Sequence, residues 1–565
     1  MSSHDVGLSA ALAVVMLGLL FYWRLSWYGE EHSGLTFIQK IKTDLLLVFK
    51  LRAHAREATR NDTFDTFFLG GKQVGGELTG QTNWSLCFAF ANAVWYFAYL
   101  GYNYGLWTFV LQVPWTIAIV CLASKLGEYL AATKTGTVHG FIASNYGVAT
   151  SMLAAIATCI GYVLNCGFEV FYSIHLLAIS FDIKPIEIVI AFSLMFFVTG
   201  CSAAGGYSAN VRTDLWKNLF GSLALVLLIL LLLPIYLTKF SSWHDALIKP
   251  MFGADYNAMP PWHFVVGIFV FAFFFNFVDM ANWQSLAANQ SLSAEDQDDV
   301  RKKLRSSAYK QIFIPAFLGA CLGVMIKAVQ SGAADEAYFK IAFGYIFPAN
   351  TLSFWPGLVL GFIIFGLLSA TISSVDNYLL AAMQTLAVDL FRRKHVLQLN
   401  LMREGKRQAE TEIINWCKRY MPVLGGLMVA VFASLFYLKG ESTFAYQFVM
   451  YGAAVTLFPV VWAGLCRIPI GADQSPSTPA ISHSGAFLSI FVGLLFVLIP
   501  FFFSGPLRAW LQGRLGWEMP EDALTNLAPL FGLAAATFVY LLARLKPATL
   551  LATWWPRLFS KWKMP

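Results

Sequence analysis

The sequence predicts an all-α polytopic membrane protein of about thirteen transmembrane helices, with a core of two five-helix inverted repeats and further flanking helices. Of the 565 residues, 58% are hydrophobic and only 13% are charged, about half the charged fraction of an average soluble protein. Thirteen stretches come near or exceed the roughly 20 apolar residues that a helix needs to cross a bilayer. No window shows the alternation typical of a membrane β-barrel, and helices satisfy their own backbone groups in lipid.

The composition excludes several classes of function. The chain is too apolar for a disordered segment or a nucleic-acid binder, and its eight cysteines, none in a CxxC pair, are interpreted as small buried apolar residues. The formal net charge of +7 is of the size that basic cytoplasmic loops produce. No Walker A, HExxH or GxSxG motif occurs, so neither an ATP-driven pump nor an enzyme is predicted. We expect the lipid bilayer and a small-molecule solute as partners, and no nucleic acid.

The apolar stretches divide the chain into regions. Their approximate limits are 6–28, 82–105, 107–131, 147–179, 184–203, 211–238, 262–287, 308–331, 352–388, 413–437, 443–467, 483–504 and 525–546. The regions predicted from them are an N-terminal extra helix (1–28), a cytoplasmic basic loop (29–81), a first five-helix repeat (82–238), a second repeat (262–467), two C-terminal extra helices (483–546) and a cytoplasmic tail (547–565).

Loop charges predict the orientation. Lysine and arginine concentrate in the first loop, in the loops after the seventh and ninth spans and in the tail, and the alternate loops are poor in them. The positive-inside rule therefore places the N-terminus outside the cell and the C-terminus in the cytoplasm. The membrane is expected to be a cell membrane, either an inner membrane or a plasma membrane. The basic stretch 41–52 is either a helix on the inner membrane surface or an ordinary surface helix.

Polar residues within the ninth span indicate a cation site. Ser373 and Ser374 follow Ala370 by three and four residues, so that both hydroxyls share a helix face with its carbonyl, and Asp376 and Asn377 come next. Such oxygens are the donors that small hard cations prefer. The alternative is that the two hydroxyls bond back to carbonyls of their own helix.

The sixth span opens with a charged pair. Asp214 and Lys217 enter the helix together after Gly205 and Gly206. At a spacing of three residues they can form a simple helix salt bridge. Alternatively, Asp214 is an acid beside an inner vestibule, where Lys217 holds it or competes with a cation.

The seventh span carries a polar stripe. Asn276, Asp279 and Trp283 share a helix face, and Gln284 follows. An acid inside a span is a functional candidate by default. The alternative is that Asp279 already lies at the inner interface.

The second span mixes polar and aromatic residues. Asn92 stands between two alanines, which makes it a candidate for a break in the helix, and Trp95 and Phe97 follow. In the fourth span, Glu169 is a single charge whose role is left open.

The spans have an internal symmetry. Spans two to six and seven to eleven each number five, and consecutive units with an odd number of helices insert with opposite topology. The first helix of each unit, with Asn92 in one and Asp279 in the other, is then expected to be broken.

Three stretches resemble motifs of the sodium:solute symporter family, the group of the proline, pantothenate, sialic acid, sugar and urea symporters. Residues 203–214 (AAGGYSANVRTD) are similar to its Gly-Gly-x-x-Ala-x-x-x-Thr-Asp signature. Residues 367–393 are similar to its Ala-x-x-Ser-(Ser/Thr)-x-x-(Asp/Asn)-Ser-x-Leu-Leu stretch, which ends in an Asp and a basic pair. Residues 68–84 are similar to its Gly-Gly-Arg motif before the first core helix. Together they cover about a tenth of the chain.

The resemblance implies the fold of the leucine transporter and a sodium site between the first and eighth core helices. The implied ligands are the Ala370 carbonyl, the Ser373 and Ser374 hydroxyls, and backbone carbonyls near Phe90 and Ala93. Asp214 matches an acid near the ion path. The sequence departs from the family where Lys217 stands in place of Gln and Lys72 in place of Arg.

These observations predict a secondary active transporter, sodium-coupled, for a small organic solute. Residues 279–288 are similar to a stretch of urea-type members, which favours a neutral or nitrogen-rich solute. The predicted solute-binding residues are Asn92, Trp95, Phe97, Asn276, Asp279, Trp283 and Gln284. The alternatives are a proton-coupled or uncoupled transporter, or a solute sensor that signals to a separate partner through the basic loop 389–419.

Overall fold

The structure is a computed structural model that describes residues 3–28, 39, 63–72, 74–132, 136–181, 187–332, 338–348, 351–391, 406–439, 443–466, 481–516, 518–520 and 522–545. Every regular element in these ranges is a helix, as the fold class predicts. The predicted surface helix at 41–52, residues 392–405 of the basic loop and the tail 547–565 lie outside the described residues.

The N-terminal half holds the first extra helix and the first repeat. Its helices are α1 (Ser3–Tyr28), α2 (Phe64–Leu69), α3 (Gly76–Cys87), a π-helical turn (Phe90–Trp95), α4 (Tyr96–Tyr104), α5 (Trp107–Ser124), α6 (Leu126–Ala132), α7 (Val138–Tyr146), α8 (Val148–Phe181), α9 (Glu187–Leu237) and α10 (Trp243–Phe252).

The C-terminal half holds the second repeat and the last two extra helices. Its helices are α11 (Trp262–Val278), α12 (Met280–Ala287), α13 (Ala294–Gln311), a π-helical turn (Ile312–Ala316), α14 (Phe317–Val329), α15 (Tyr338–Ile346), α16 (Phe354–Gln384), a π-helical turn (Thr385–Phe391), α17 (Lys406–Lys439), α18 (Thr443–Val455), α19 (Phe458–Leu465), α20 (His483–Leu515), α21 (Ala523–Asn526) and α22 (Ala528–Leu545).

Eleven helical stretches among the described residues are long and apolar enough to cross a membrane, where the sequence predicts about thirteen. Two features account for the difference. The predicted spans 184–203 and 211–238 form one helical run, α9, of 51 residues. The predicted span 82–105 is divided between α3 and α4, and each of these is shorter than a bilayer crossing.

A kink at Gly206 interrupts α9. At 1.5 Å per residue, a straight helix of 51 residues would be more than twice as long as the hydrocarbon core is thick. Gly206 has φ +57° and ψ −141°, a combination that only glycine adopts easily. A Cβ at this position would also collide with the Phe67 carbonyl oxygen. The Gly-Gly pair of the 203–214 motif therefore lies at the kink, between the predicted spans 184–203 and 211–238.

Both repeats begin with an interrupted helix, as the symmetry predicts. In the first, α3 ends at Cys87, and Phe88 and Ala89 have non-helical backbone angles before the π-helical turn starts at Phe90. The break thus precedes Asn92, the residue from which it was predicted. In the second, α11 ends at Val278, and Asp279 is extended (φ −63°, ψ 120°) before α12.

The first extra helix packs closely against α16. A Cβ added to Gly361 would lie 2.5 Å from the Ala11 carbonyl oxygen, and one added to Gly357 would meet the Gly7 backbone. Small residues allow membrane helices to approach in this way. The Tyr22 hydroxyl donates to the Ser369 hydroxyl at 2.8 Å and joins the two helices further along. On its other sides α16 contacts α8, α9 and the first interrupted helix, which places it at the centre of the core.

Candidate solute cavity and cation site

The break in the first repeat is closed by Glu169 from α8. The backbone N–H of Ala91 donates to Glu169 Oε2 at 3.1 Å, and that of Asn92 donates to Oε1 at 2.5 Å. Ala89, which precedes the turn, makes no side-chain cap. Amides at the start of a helix lack partners within the helix. Glu169, which is fully buried, supplies the partners from another helix.

A chain of carboxamides continues from this break. The Asn92 side chain donates to Asn165 Oδ1 at 3.3 Å, and its own Oδ1 accepts from Gln447 Nε2 at 3.2 Å. The Asn92 side chain is therefore held between α8 and α18, while its backbone N–H is held by Glu169.

The break in the second repeat is closed by its own residue. Asp279 accepts the backbone N–H groups of Ala281 at 3.4 Å and Asn282 at 3.1 Å. The Tyr162 hydroxyl on α8 donates to Asp279 Oδ1 at 2.6 Å and accepts from the Ala281 N–H at 2.8 Å. Asp279 is 2% exposed, so it does not lie at an interface with solvent.

One face of α8 serves both breaks. Tyr162, Asn165 and Glu169 follow each other at spacings of three and four residues, so they project from the same side of the helix. Tyr162 contacts the second break, and Asn165 and Glu169 contact the first. The sequence alone does not reveal this, because the partners are over 70 positions away.

A cavity with an empty volume of about 510 Å³, open space at its mouth included, lies between the two interrupted helices. It is lined by Leu86, Cys87, Asn92, Tyr96, Phe97, Leu111, Gln112, Trp115, Ile268, Phe271, Ala272, Gln447 and Tyr451. Aromatic rings and three carboxamides dominate this lining, and the described residues that form it include no Asp, Glu, Lys, Arg or His. An apolar wall with a few polar groups is the usual character of a small-molecule site.

The predicted solute-binding residues divide into two groups. Asn92 and Phe97 line the cavity. The other five lie outside its lining and are bonded or packed within the protein. Trp95 packs on Tyr172, Asn276 donates to the Ala272 carbonyl, Asp279 caps α12, Trp283 donates to the Phe277 carbonyl, and Gln284 donates to the Phe68 carbonyl.

The second site is an ionic cluster between α9 and α16. Lys217 Nζ is ion-paired with Asp376 Oδ2 on α16 and lies 3.7 Å from Asp214 Oδ1 on its own helix. All three side chains are at most 2% exposed. Lys217 therefore does not form only a local salt bridge with Asp214 within α9. It also joins α9 to α16 through its ion pair with Asp376.

Hydroxyl and amide groups complete this cluster. Ser373 donates to Asp214 Oδ1 at 3.3 Å, and the Asn377 side chain donates to Asp214 Oδ2 at 3.2 Å. Ser374 donates to the Ser85 carbonyl at 2.9 Å, near the C-terminus of α3. Both serine hydroxyls thus bond to other helices and not to their own backbone.

The predicted sodium ligands are only partly brought together. Ala370, Ser373 and Ser374 are fully buried on α16, and this helix contacts both α3 and the π-helical turn that contains Phe90 and Ala93. However, the carbonyl that Ser374 meets belongs to Ser85, and the Ala93 carbonyl accepts the Tyr96 N–H within its own helix.

The cluster is unbalanced in charge. Two carboxylates, Asp214 and Asp376, face one ammonium group, that of Lys217. Asp376 Oδ1 has no hydrogen-bond partner among the described residues. A buried charge without a partner is strongly disfavoured, so the cluster has the charge and the oxygen donors to attract a second cation or a proton.

Sequence reasoning assigns no role to Glu169, which closes the first break, or to Gln112 and Gln447, which line the cavity. An acid within a span is nevertheless a functional signal. Gln112 and Gln447 are single glutamines within apolar spans, and the same signal would have found them.

A search of solved structures finds likeness along nearly the whole chain. A Na+-coupled sialic acid symporter, in a substrate-bound outward-open state, aligns with a TM-score of 0.64 and 14% identity over 96% of this chain and 99% of that one. MhsT in complex with L-phenylalanine aligns at 0.47 and 16% over 84% and 99% of the two chains. The Eremococcus coleocola manganese transporter, in complex with an aromatic bis-isothiourea substituted compound, aligns at 0.46 and 11% over 84% and 94%.

At these identities the likeness shows only that the fold is shared. This conclusion rests on the sialic acid symporter, because its TM-score is the one above 0.5 among the three. The chain shares the helical membrane fold of that symporter. No protein-family model and no curated protein sequence matches the chain. The all-α membrane fold is therefore confirmed, and membership of the sodium:solute symporter family stays a prediction.

Proposed function

We propose that the protein is a secondary active transporter that carries a small organic solute across a cell membrane by alternating access. The observation that carries this proposal is the cavity between two interrupted helices, lined by aromatic rings and carboxamides. Interrupted helices at the interface of inverted repeats are where secondary transporters bind their substrates. The sialic acid symporter shares this architecture over nearly its whole length.

Sodium is the coupling ion that the cluster favours. Asp214, Ser373 and Ser374 offer hard oxygen donors, and Asp376 has an oxygen without a partner among the described residues. A sodium ion beside them would balance the second carboxylate. We propose the Ala370 carbonyl and the last carbonyls of α3 as further donors, in place of those of Phe90 and Ala93. Asp214 would attract the ion to the site.

Lys217 supports a second candidate, in which the transporter is proton-coupled or uncoupled. Its ammonium group already provides one positive charge inside the cluster and bridges α9 to α16. A proton on one carboxylate would then balance the second negative charge without any metal ion.

The experiment that separates these candidates measures the thermal midpoint of the purified protein in sodium against potassium and choline at constant ionic strength. With sodium coupling, sodium alone raises the midpoint, and the Ser373→Ala/Ser374→Ala double variant abolishes the rise. Ser222→Ala is the matched control, because its hydroxyl bonds to the Asn218 carbonyl of its own helix. A wild type indifferent to sodium, together with a Lys217→Gln variant that responds to it, supports Lys217 as the internal cation.

Transport itself is tested in liposomes. A solute that stabilises the purified protein is radiolabelled, and its uptake is measured with an inward sodium gradient, an inward proton gradient, or neither. Uptake above that of protein-free liposomes supports the transporter. Saturable binding without flux under any gradient rejects it in favour of a sensor.

A further inference from the structure

Both interrupted helices have their freed amides filled by carboxyl groups of the protein. Glu169 accepts the Ala91 and Asn92 N–H groups with its two oxygens, and Asp279 accepts those of Ala281 and Asn282. In other transporters of broken-helix design, such amides are the groups that face an anionic part of the substrate. In this protein a solute carboxylate finds both positions occupied.

The cavity wall offers no counter-charge to an ionic solute. Its described lining contains no carboxylate and no basic side chain. A charge moved from water into such a site without a partner is strongly disfavoured. Both anionic and cationic solutes are therefore disfavoured at this position.

The wall does offer neutral hydrogen-bonding groups. Gln112 is 8% exposed and lines the cavity, and its carboxamide makes no hydrogen bond with any described residue. Gln447 uses its amino group on Asn92, which leaves a carbonyl oxygen able to accept a hydrogen bond. Trp115, Phe97 and Phe271 provide aromatic surface beside these groups.

We propose that the solute is an uncharged molecule with amide or hydroxyl groups and an apolar face, and that Glu169 excludes carboxylates because it occupies their place at the first break. This inference rests on the proposed function only in taking the ligand of the cavity to be the transported solute. The occupancy of the break by Glu169 stands whether or not the protein transports.

The first test removes the internal carboxylate. Glu169→Ala leaves two buried amides unpaired and a space of carboxylate size, so sodium formate should restore a ligand that the variant has lost. We expect the thermal midpoint of Glu169→Ala to rise by several degrees, saturably, in formate over chloride at equal sodium. We expect no difference for wild type or for Glu169→Gln, whose side chain fills the space.

Glu169→Ala is purified in formate and in chloride in parallel, since the variant is expected to be less stable in chloride. Recovery in formate alone supports the proposal. The proposal is overturned if Glu169→Ala elutes as a single species and formate does not change its thermal midpoint. It is also overturned if Glu169→Ala is lost in both salts while Glu169→Gln is recovered.

The second test ranks isosteric solutes of different charge on the wild type. Benzamide, benzoate and benzamidinium form one set, and acetamide, acetate and acetamidinium form another. The largest stabilisation should belong to the uncharged members. A carboxylate or an amidinium that stabilises as much as its amide overturns the proposal. Because these are binding measurements, a protein that ranks the solutes as expected but moves none of them would refute only the transport function.

Discussion

The two buried carboxyl groups at the helix breaks differ from the two beside Lys217. Glu169 and Asp279 accept backbone N–H groups that belong to rigid helix starts. Asp214 and Asp376 rely on side chains, and one oxygen of Asp376 has no partner among the described residues. Acids of the first kind complete the fold, whereas acids of the second kind can exchange partners with an ion.

The largest effect is expected in the cluster. Lys217→Met leaves two buried carboxylates without their cation, and loss of one partner from a buried ion pair costs about 3–5 kcal/mol of unfolding free energy. We expect this loss in choline and a smaller one in sodium, measured by chemical unfolding in detergent. Lys302→Met, at an exposed pair with Asp298, should cost less than about 1 kcal/mol. An equal loss in sodium and choline would argue against a cation site.

The next effect concerns the first break. Glu169→Gln keeps the size of the side chain, but its amino group faces a backbone N–H that needs an acceptor. An unsatisfied buried donor costs about 1–3 kcal/mol, and we expect a loss of unfolding free energy in that range. Stability equal to wild type would mean that Glu169 does not hold the amides of Ala91 and Asn92.

A smaller effect is expected from Tyr162→Phe. The hydroxyl that is removed donates to Asp279 and accepts from the Ala281 N–H, but Asp279 itself still accepts from the second amide group. Loss of a net contribution of about 1–2 kcal/mol is expected, read from the same unfolding curves. Tyr309→Phe is the control, because that residue is 53% exposed and its hydroxyl makes no hydrogen bond with any described residue. A loss of unfolding free energy larger than that of Glu169→Gln would mean that the hydrogen bonds at the second break contribute more to stability than those at the first.

The smallest effect is expected from Asp279→Asn. Asparagine caps a helix about as well as aspartate does. Unlike the amide of Glu169→Gln, its amino group need not face a backbone N–H, because its oxygen can accept from the Asn282 N–H while the amino group donates to the Tyr162 hydroxyl. That hydroxyl still accepts from the Ala281 N–H. We expect a change below about 1 kcal/mol, whereas Asp279→Ala should cost up to about 2 kcal/mol. If Asp279→Asn impairs solute or sodium binding with little change in stability, then Asp279 has a role beyond its cap.

Much of the architecture was readable from local patterns. The apolar stretches predicted the membrane helices, and the odd number of helices per unit predicted interrupted helices near Asn92 and at Asp279. The boundary between the predicted spans 184–203 and 211–238 was harder to place, because the structure has one helical run there with a kink at Gly206. A kink that depends on one positive φ and a close contact with Phe67 leaves no signal in hydropathy.

The sites were less predictable than the helices. Asn276, Trp283 and Gln284 have the residue types of a binding stripe. However, the side chains of Asn276 and Trp283 bond to backbone carbonyls of α11, and that of Gln284 bonds to the Phe68 carbonyl on α2. Gln112 and Gln447 line the cavity, although each stands alone in its span. A polar residue in an apolar span indicates that its side chain has a hydrogen-bonding partner. Whether that partner is backbone, side chain or solute depends on the neighbouring helices.

The sequence by itself determined that this is a helical membrane protein and that charged residues lie inside its spans, because hydropathy and spacing are local properties. Only the tertiary structure decided that Glu169 belongs to a break 77 positions away and that Lys217 reaches Asp376 from another helix. The reason is physical. A buried charge is stable only beside its partner, and the packing of distant helices determines which partner that is.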